Sequence, residues 1–251
     1  MCVVRGVNGC FRVVGDTPPN RLGKFLDAMG TRASLEGETI KFTPPNKLND
    51  RWDCIPFRYR EKDVEEFWQR SILSQLFPEL KQYVIDKYVN RDWSSLQEML
   101  SNTIGVASFA DLRYCDLSWM WDHYGDYHKG GIIVFETSGM GTFLKVRCSE
   151  KRPEISIPIN EDTYPPDEVL AVLTTKERGT ANHWEKECEW RMIDHLSSLN
   201  KTETANGPIY LKSYHKAFIK VICGCRMDIS TFSEITEIAN SKGVLVEREK
   251  D

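Results

Sequence analysis

The chain has 251 residues, 41% of them apolar and 28% charged, enough to bury one sizeable core. Its formal net charge of −4 excludes a global basic footprint for nucleic acid, and no run approaches the ~18 apolar residues of a membrane span. No secretory signal pattern is present, so a cytoplasmic location is expected, with no membrane partner. Eight cysteines are spread irregularly, without a CxxC and with Cys223 and Cys225 the closest pair. They are expected to be reduced core residues, and no metal is expected.

Met1 to Val14 alternates apolar and polar residues around Gly6 and Gly9, which fits an edge hairpin or an irregular terminus. Residues 1–20 are accordingly a poorly defined N-terminal segment. Arg21 to Met29 carries Leu22, Phe25, Leu26 and Met29 at helical spacing, predicting a helix stopped at Gly30. Thr39 to Thr43 reads as a short strand ended by Pro44 and Pro45, and Asn46 to Asp50 has turn chemistry. A long helical portion follows from Asp63 to Leu100. Its first apolar stripe is Val64, Phe67, Trp68, Ile72, Leu73 and Leu76, its second Leu80, Tyr83, Val84 and Tyr88, and its third Trp93, Leu96 and Leu100. Ile104 to Phe109, Gly131 to Phe135 and Thr142 to Val146 are predicted strands, and Pro166 opens a short helix. Strands are predicted again over Glu187 to Ile193, Ile209 to Leu211 and Phe218 to Cys223. A helix over Asp228 to Asn240 turns Phe232, Ile235 and Ile238 inward, and Val244 to Val246 is the last strand. This order gives one α+β domain over 1–251, with a helix-rich N-terminal half and a mixed, mostly antiparallel sheet built largely from the C-terminal half.

Phosphate-loop, GxGxxG, HExxH and GxSxG patterns are all absent. Two stretches carry chemistry. In Asp116 to Glu136, Trp119, Met120, Trp121, His123, Tyr124 and His128 precede Gly130, Gly131 and an apolar strand, a composition that lines a cleft or fills a mixed core. In His183 to Arg191, strand periodicity from Glu187 onward puts Glu187, Glu189, Arg191 and Ile193 on one face, and Cys188, Trp190 and Met192 on the core face. Two carboxylates about 7 Å apart can divide labour, one stabilising a developing cation and the other orienting or deprotonating a nucleophile. The alternative is a solvated strand face on which Arg191 screens two acids. His123 is a candidate acid, base or ligand; the alternative is a hydrogen bond to a backbone carbonyl or to Asp122.

Taken in order, five motifs resemble a known series. They are Lys41-Phe-Thr-Pro-Pro-Asn-Lys-Leu-Asn-Asp50, Met120-Trp-Asp-His-Tyr-Gly125, His128-Lys-Gly130 with its strand, Lys176 with Trp184, Glu187, Glu189 and Arg191, and Ile219-Lys-Val-Ile-Cys-Gly224. The series resembles the bacterial family catalogued as domain of unknown function 2971, over roughly Arg21 to Val246. Arg51 and Trp52 stand where that family usually has proline and phenylalanine. The family's layout is loosely similar to ADP-ribosyltransferase-type domains. Such domains carry a basic residue on the first strand, a Ser/Thr turn ending the second, and Glu-x-Glu on a late strand.

That similarity implies Arg21 or Lys24, then Thr43, then Glu187 and Glu189. It implies NAD as the cofactor, a protein or nucleic acid as the macromolecular acceptor, and a toxin or phage-defence setting. The expected catalytic residues are Glu189, Glu187 and His123. Arg21, Thr43, Trp121, Tyr124 and Arg191 are expected to bind the cofactor, and Asn49, Asp50, His128 and Lys129 the substrate. Two other readings stand beside this one. The first is a non-catalytic domain binding a nucleotide, peptide or partner protein through the aromatic stretch. The second is a metal-independent nuclease using His123, His128 and Glu136.

Overall fold

The computed structural model describes residues 2–5, 11–14, 16–50, 53–56, 59–70, 74–75, 78–82, 85, 94–156, 166–178 and 183–250. Strands β1 (Cys2–Arg5) and β2 (Phe11–Val14) pair antiparallel in a small sheet of their own. There follow β3 (Arg21–Leu26), α1 (Ala28–Gly37) and β4 (Thr39–Phe42), then α2 (Glu61–Arg70) and α3 (Ser94–Thr103). Next come β5 (Ile104–Ala110), α4 (Leu117–Tyr124), β6 (Gly131–Glu136), β7 (Leu144–Lys145), β8 (Arg147–Ser149), α5 (Pro166–Leu173) and β9 (Thr175–Glu177). The chain closes with β10 (Glu189–His195), β11 (Asn200–Thr202), β12 (Ile209–Ser213), β13 (Phe218–Cys223), α6 (Ile229–Ser241) and β14 (Leu245–Arg248). Ile72, Leu73, Leu76, Tyr83, Val84, Tyr88 and Trp93, expected on the helical stripes, lie outside the described residues, as does the side chain of Phe67.

Seven strands form the main sheet in the order β14-β13-β6-β3-β5-β10-β7, antiparallel throughout except for β13 and β14. The chain is thus an α+β fold with a mixed, mostly antiparallel sheet. The helix predicted over Arg21 to Met29 is instead β3, at the sheet's centre. Its apolar residues satisfy both periods, because a central strand is buried on both faces. Leu22 packs with Phe42, Phe109 and Phe135 in the main core, while Phe25 joins Met120, Trp121 and Ile132 on the other face. The helix starts only after Asp27, whose carboxylate accepts the Gly30 N–H at 2.6 Å, so Gly30 sits in the first turn rather than at a stop.

The sheet is two half-sheets joined narrowly. Strand β3 pairs with β6 over six positions and β5 with β10 over seven, yet β3 and β5 are in register only at Gly23 and Ala110. Gly23 is needed there, since a Cβ would stand 2.6 Å from Leu112 Cδ2. Beyond that point β3 and β5 part. Thr43 bridges to Val106 of β5, and β4 continues into a three-stranded sheet, β11-β12-β4.

The helices α1 and α6 cover one face of the sheet over the main core, with Phe232 and Ile235 of α6 packed into it. A second cluster, including Tyr59, Val64, Leu100, Ile155 and Leu173, gathers α2, α3 and α5 beside β5. The segment expected as a strand over Thr142 to Val146 is a two-residue strand, Leu144 and Lys145, with the Val146 N–H donating to the Glu189 carbonyl at 2.9 Å. The pairing of β8 with β9, which fixes Lys176 opposite Cys148, has no counterpart in the predicted elements. Among the described residues, no helix is long and apolar enough to cross a membrane.

Candidate functional site

The strand expected to begin at Glu187 begins at Glu189. Residues Trp184–Glu187 form a 3-10 turn, and Cys188 is left-handed at φ 45°. That kink sends both carboxylates to one ammonium. Lys176 Nζ, carried on β9, lies 2.7 Å from Glu187 Oε2 and 2.8 Å from Glu189 Oε2. Arg191 backs the pair. Its Nε donates to Glu189 Oε1 at 2.7 Å, one terminal nitrogen donates to Asp53 Oδ1 and the Leu173 carbonyl at 2.8 Å each, and the other to Asp53 Oδ2 and Glu189 Oε2. All five guanidinium N–H donors are used. The alternative of a solvated face is therefore overturned, with Glu187 4%, Glu189 6% and Arg191 0% exposed. Trp190 and Met192 do fall on the core face, as the period predicts, whereas Cys188, left-handed and ahead of the strand, lines a wide groove instead.

The two acids are tuned in opposite directions. Burial raises the proton affinity of Glu187, with Lys176 opposing it. Burial pulls Glu189 the same way, but Arg191 and then Lys176 prevail and hold its carboxyl well below the usual range. For Lys176, burial disfavours the charged ammonium; Glu189, Glu187 and Asp53 overcome it, so the charge is held.

A cavity of about 230 Å³ opens in front of this cluster, where β3 and β5 diverge. Lys24, Thr43, Asn49, Tyr124, Glu187 and Glu189 line it. Lys24 reaches across the split, donating from Nζ to the Ser108 carbonyl at 3.0 Å. Burial pushes its ammonium down to about 8, with Glu189 acting the other way. Asn49 donates to Tyr124 Oη at 2.9 Å, and Tyr124 Oη donates to Glu187 Oε1. A continuous polar chain thus runs from exposed Asn49 to buried Glu187. Trp184 shields the cluster from outside, its ring 4.7 Å from Lys176 Nζ.

No protein-family model matches the chain, and comparison with curated proteins and with solved structures found no match.

The expected site residues divide into two groups. Glu187, Glu189, Thr43, Tyr124 and Asn49 meet in the cavity from three separate parts of the chain. Of the two basic candidates on β3, Lys24 lines it. Arg21 is exposed and faces a wider groove of about 1320 Å³, which shares Glu189 with the cavity. Arg191 lies behind the acids with no donor left for a cofactor. Trp121 is core, edge-on to Phe25 at 5.4 Å. His123 is exposed and stacked on Trp119, its Nδ1 2.8 Å from the Trp119 carbonyl, the backbone-bonded alternative. Asp50 accepts the Asp53 N–H through its carbonyl, outside the cavity wall. Lys129 is exposed, and His128 pairs with Glu249 at 2.8 Å, beside Cys225.

Asp53 and Lys176 were not among the expected site residues. Lys176 stands in the motif series, but its strand is three residues long and too short to show a period. Asp53 carries no local signal, because its partner Arg191 is 138 positions away. Cys54, Cys115, Cys148, Cys188, Cys223 and Cys225 are free thiols, and burial pushes the Cys115 thiol up to about 12 and Cys223 up to about 11.

Proposed function

We propose that this chain is an NAD-using transferase of the ADP-ribosyl type, acting in the cavity between the half-sheets. One observation carries the reading: two carboxylates on one lysine, pushed apart in proton affinity, face a small cleft with Tyr124 and Thr43. Such divergence separates an ionised stabiliser from a proton acceptor.

Glu189, held ionised, would face the positive charge that develops at C1′ of the ribose as the bond to nicotinamide breaks and its electron pair leaves with the ring. Glu187 would take the proton of the acceptor hydroxyl or amine as that nucleophile bonds to C1′. Tyr124 would align Glu187 and offer a ring face to nicotinamide. A volume of about 230 Å³ suits the nicotinamide and ribose end and leaves the rest of the dinucleotide outside. The acceptor, a protein or nucleic acid, would approach along the wider groove that Glu189 also lines.

The other two readings have less support. Met120 and Trp121 are buried, so the centre of the aromatic stretch is core and is not available to a partner. His123 is stacked on Trp119, His128 is paired with Glu249, and Glu136 ends β6, roughly 17 Å along the strand from Gly131.

Glu187→Gln is the better probe, since replacing Glu189 takes one buried carboxylate partner from both Arg191 and Lys176. Calorimetry is expected to show NAD binding to both wild type and Glu187→Gln. Nicotinamide release should fall about 10²–10⁴-fold in the variant. Absence of wild-type binding at millimolar NAD would overturn the reading.

A further inference from the structure

On the far side of α4 from the cavity, three chain segments meet. They are the turn before β6, the turn after β13, and the residue that follows β14. Backbone bonds lock them together: Gly224 N–H to the Gly130 carbonyl at 2.9 Å, Arg226 N–H to the His128 carbonyl at 2.9 Å, and Glu249 N–H to the Cys223 carbonyl at 2.8 Å. The approach is close enough to require glycine. A Cβ on Gly224 would stand 2.1 Å from the His128 carbonyl oxygen, and one on Gly130 would stand 2.1 Å from that of Leu26. Three consecutive non-glycine residues, Asp126, Tyr127 and His128, are left-handed at φ 50°, 51° and 68°. Such strain persists only where the surroundings over-determine it, and here it aims the His128 ring at Cys225 and Glu249.

We propose that His128, Cys225 and Glu249 form a binding site for a zinc-class divalent metal ion. One imidazole nitrogen, one thiol sulfur and one carboxylate oxygen lie within 4.8 Å of one another, all three residues half-buried. Tetrahedral coordination at about 2.0–2.3 Å from the metal needs ligand atoms roughly 3.3–3.8 Å apart, so small side-chain shifts close the site. The mixture of nitrogen, sulfur and oxygen suits zinc over magnesium or calcium, which take oxygen alone.

The second ring nitrogen is provided for as well. His128 Nε2 lies 3.6 Å from Asp122 Oδ1, and Trp121 stacks on the ring at 5.6 Å with the planes 19° apart. A carboxylate behind a histidine is the usual support of a metal-bound imidazole. In the free site Nδ1 holds the proton and donates it to Glu249 Oε2 at 2.8 Å; on metal binding the imidazole proton moves to Nε2, facing Asp122, and the Nδ1 lone pair bonds the metal. Metal binding then displaces one proton, from the Cys225 thiol to solvent, and the thiolate bonds the metal. Three protein ligands leave a fourth position for water. The ion would tie the C-terminal end of the chain to the turn ahead of β6. Its neighbour Cys223 takes no part, being fully buried in the main core. The ligands fall in no metal-spacing motif because each comes from a different segment.

Cobalt titration of chelator-stripped protein tests this apart from NAD turnover. The expected result is one equivalent bound, with a thiolate-to-cobalt charge-transfer band that zinc abolishes and excess magnesium does not. Cys225→Ser should lose the band, and Glu249→Gln should bind at least tenfold more weakly, both with wild-type circular dichroism. No band in the wild type, or an equal band in Cys225→Ser, would overturn the site.

Discussion

Arg191 holds the site together without touching its cavity. With no solvent access and donors on Asp53 and Glu189, it balances charge that burial would otherwise expel. Arg191→Met should therefore cost about 3–5 kcal/mol in urea unfolding, since it strands buried carboxylates. A loss below about 1 kcal/mol would mean that the acids were not ionised together. Lys24 makes the opposite contribution. Its ammonium sits at about 8 in the fold against 10.5 ordinarily, so the unfolded chain holds more protons between those values and stability rises with pH there. Lys24→Met removes the cost of burying that charge. The variant should be more stable than wild type at pH 7 by about 1–3 kcal/mol, the gap closing as pH rises from about 8 to about 10.5. A gap that does not change over that window would contradict the buried ammonium. Glu189 contributes with the usual carboxylate sign, since its depressed affinity adds stability at neutral pH that is lost on acidification.

Among the elements, α4 sets the position of Tyr124. Its cap, Asp116, accepts the Trp119 N–H at 3.1 Å and an ion pair from Lys186 at 3.0 Å. Asp116→Ala should cost about 1 kcal/mol by thermal unfolding, and under the proposed mechanism it should slow turnover more than it lowers stability. The elements also show what local pattern can and cannot carry. Strands β4, β5, β6, β10 and β13 and helix α6 are near their expected places, because each combines an apolar run with turn residues or a cap. Strand β3 is not, since Leu22, Phe25 and Leu26 match a helix stripe as well as a strand buried on both faces. Glu187 and Glu189 were legible as a pair, but their convergence on Lys176 depends on the left-handed Cys188 and on three-residue β9. Both are tertiary features. The same holds for Asp53, whose role exists only once the chain brings it beneath Arg191.

At the scale of the whole molecule, the split in the sheet predicts uneven protection. The amides of β3 that face β5 have one paired position, while β5 and β10 are paired along their length. Amide hydrogen exchange should be slower across β5 and β10 than across β3 and β5. Equal protection on both sides would mean a continuous sheet in solution. The central position of β3 has a further consequence, for synthesis. Its full-length partner β6 is translated roughly 100 residues later, so at about 5–20 residues per second β3 waits about 5–20 s without a neighbour. During that interval Leu22 lacks Ile133 and Phe135, and Phe25 lacks Ile132 and Val134, so both core clusters are incomplete. A nascent chain shorter than 131 residues should therefore be a chaperone client, and chains truncated there should sediment as aggregate. Completion of β6, rather than of any early helix, is the event that lets the first half of this protein leave the ribosome soluble.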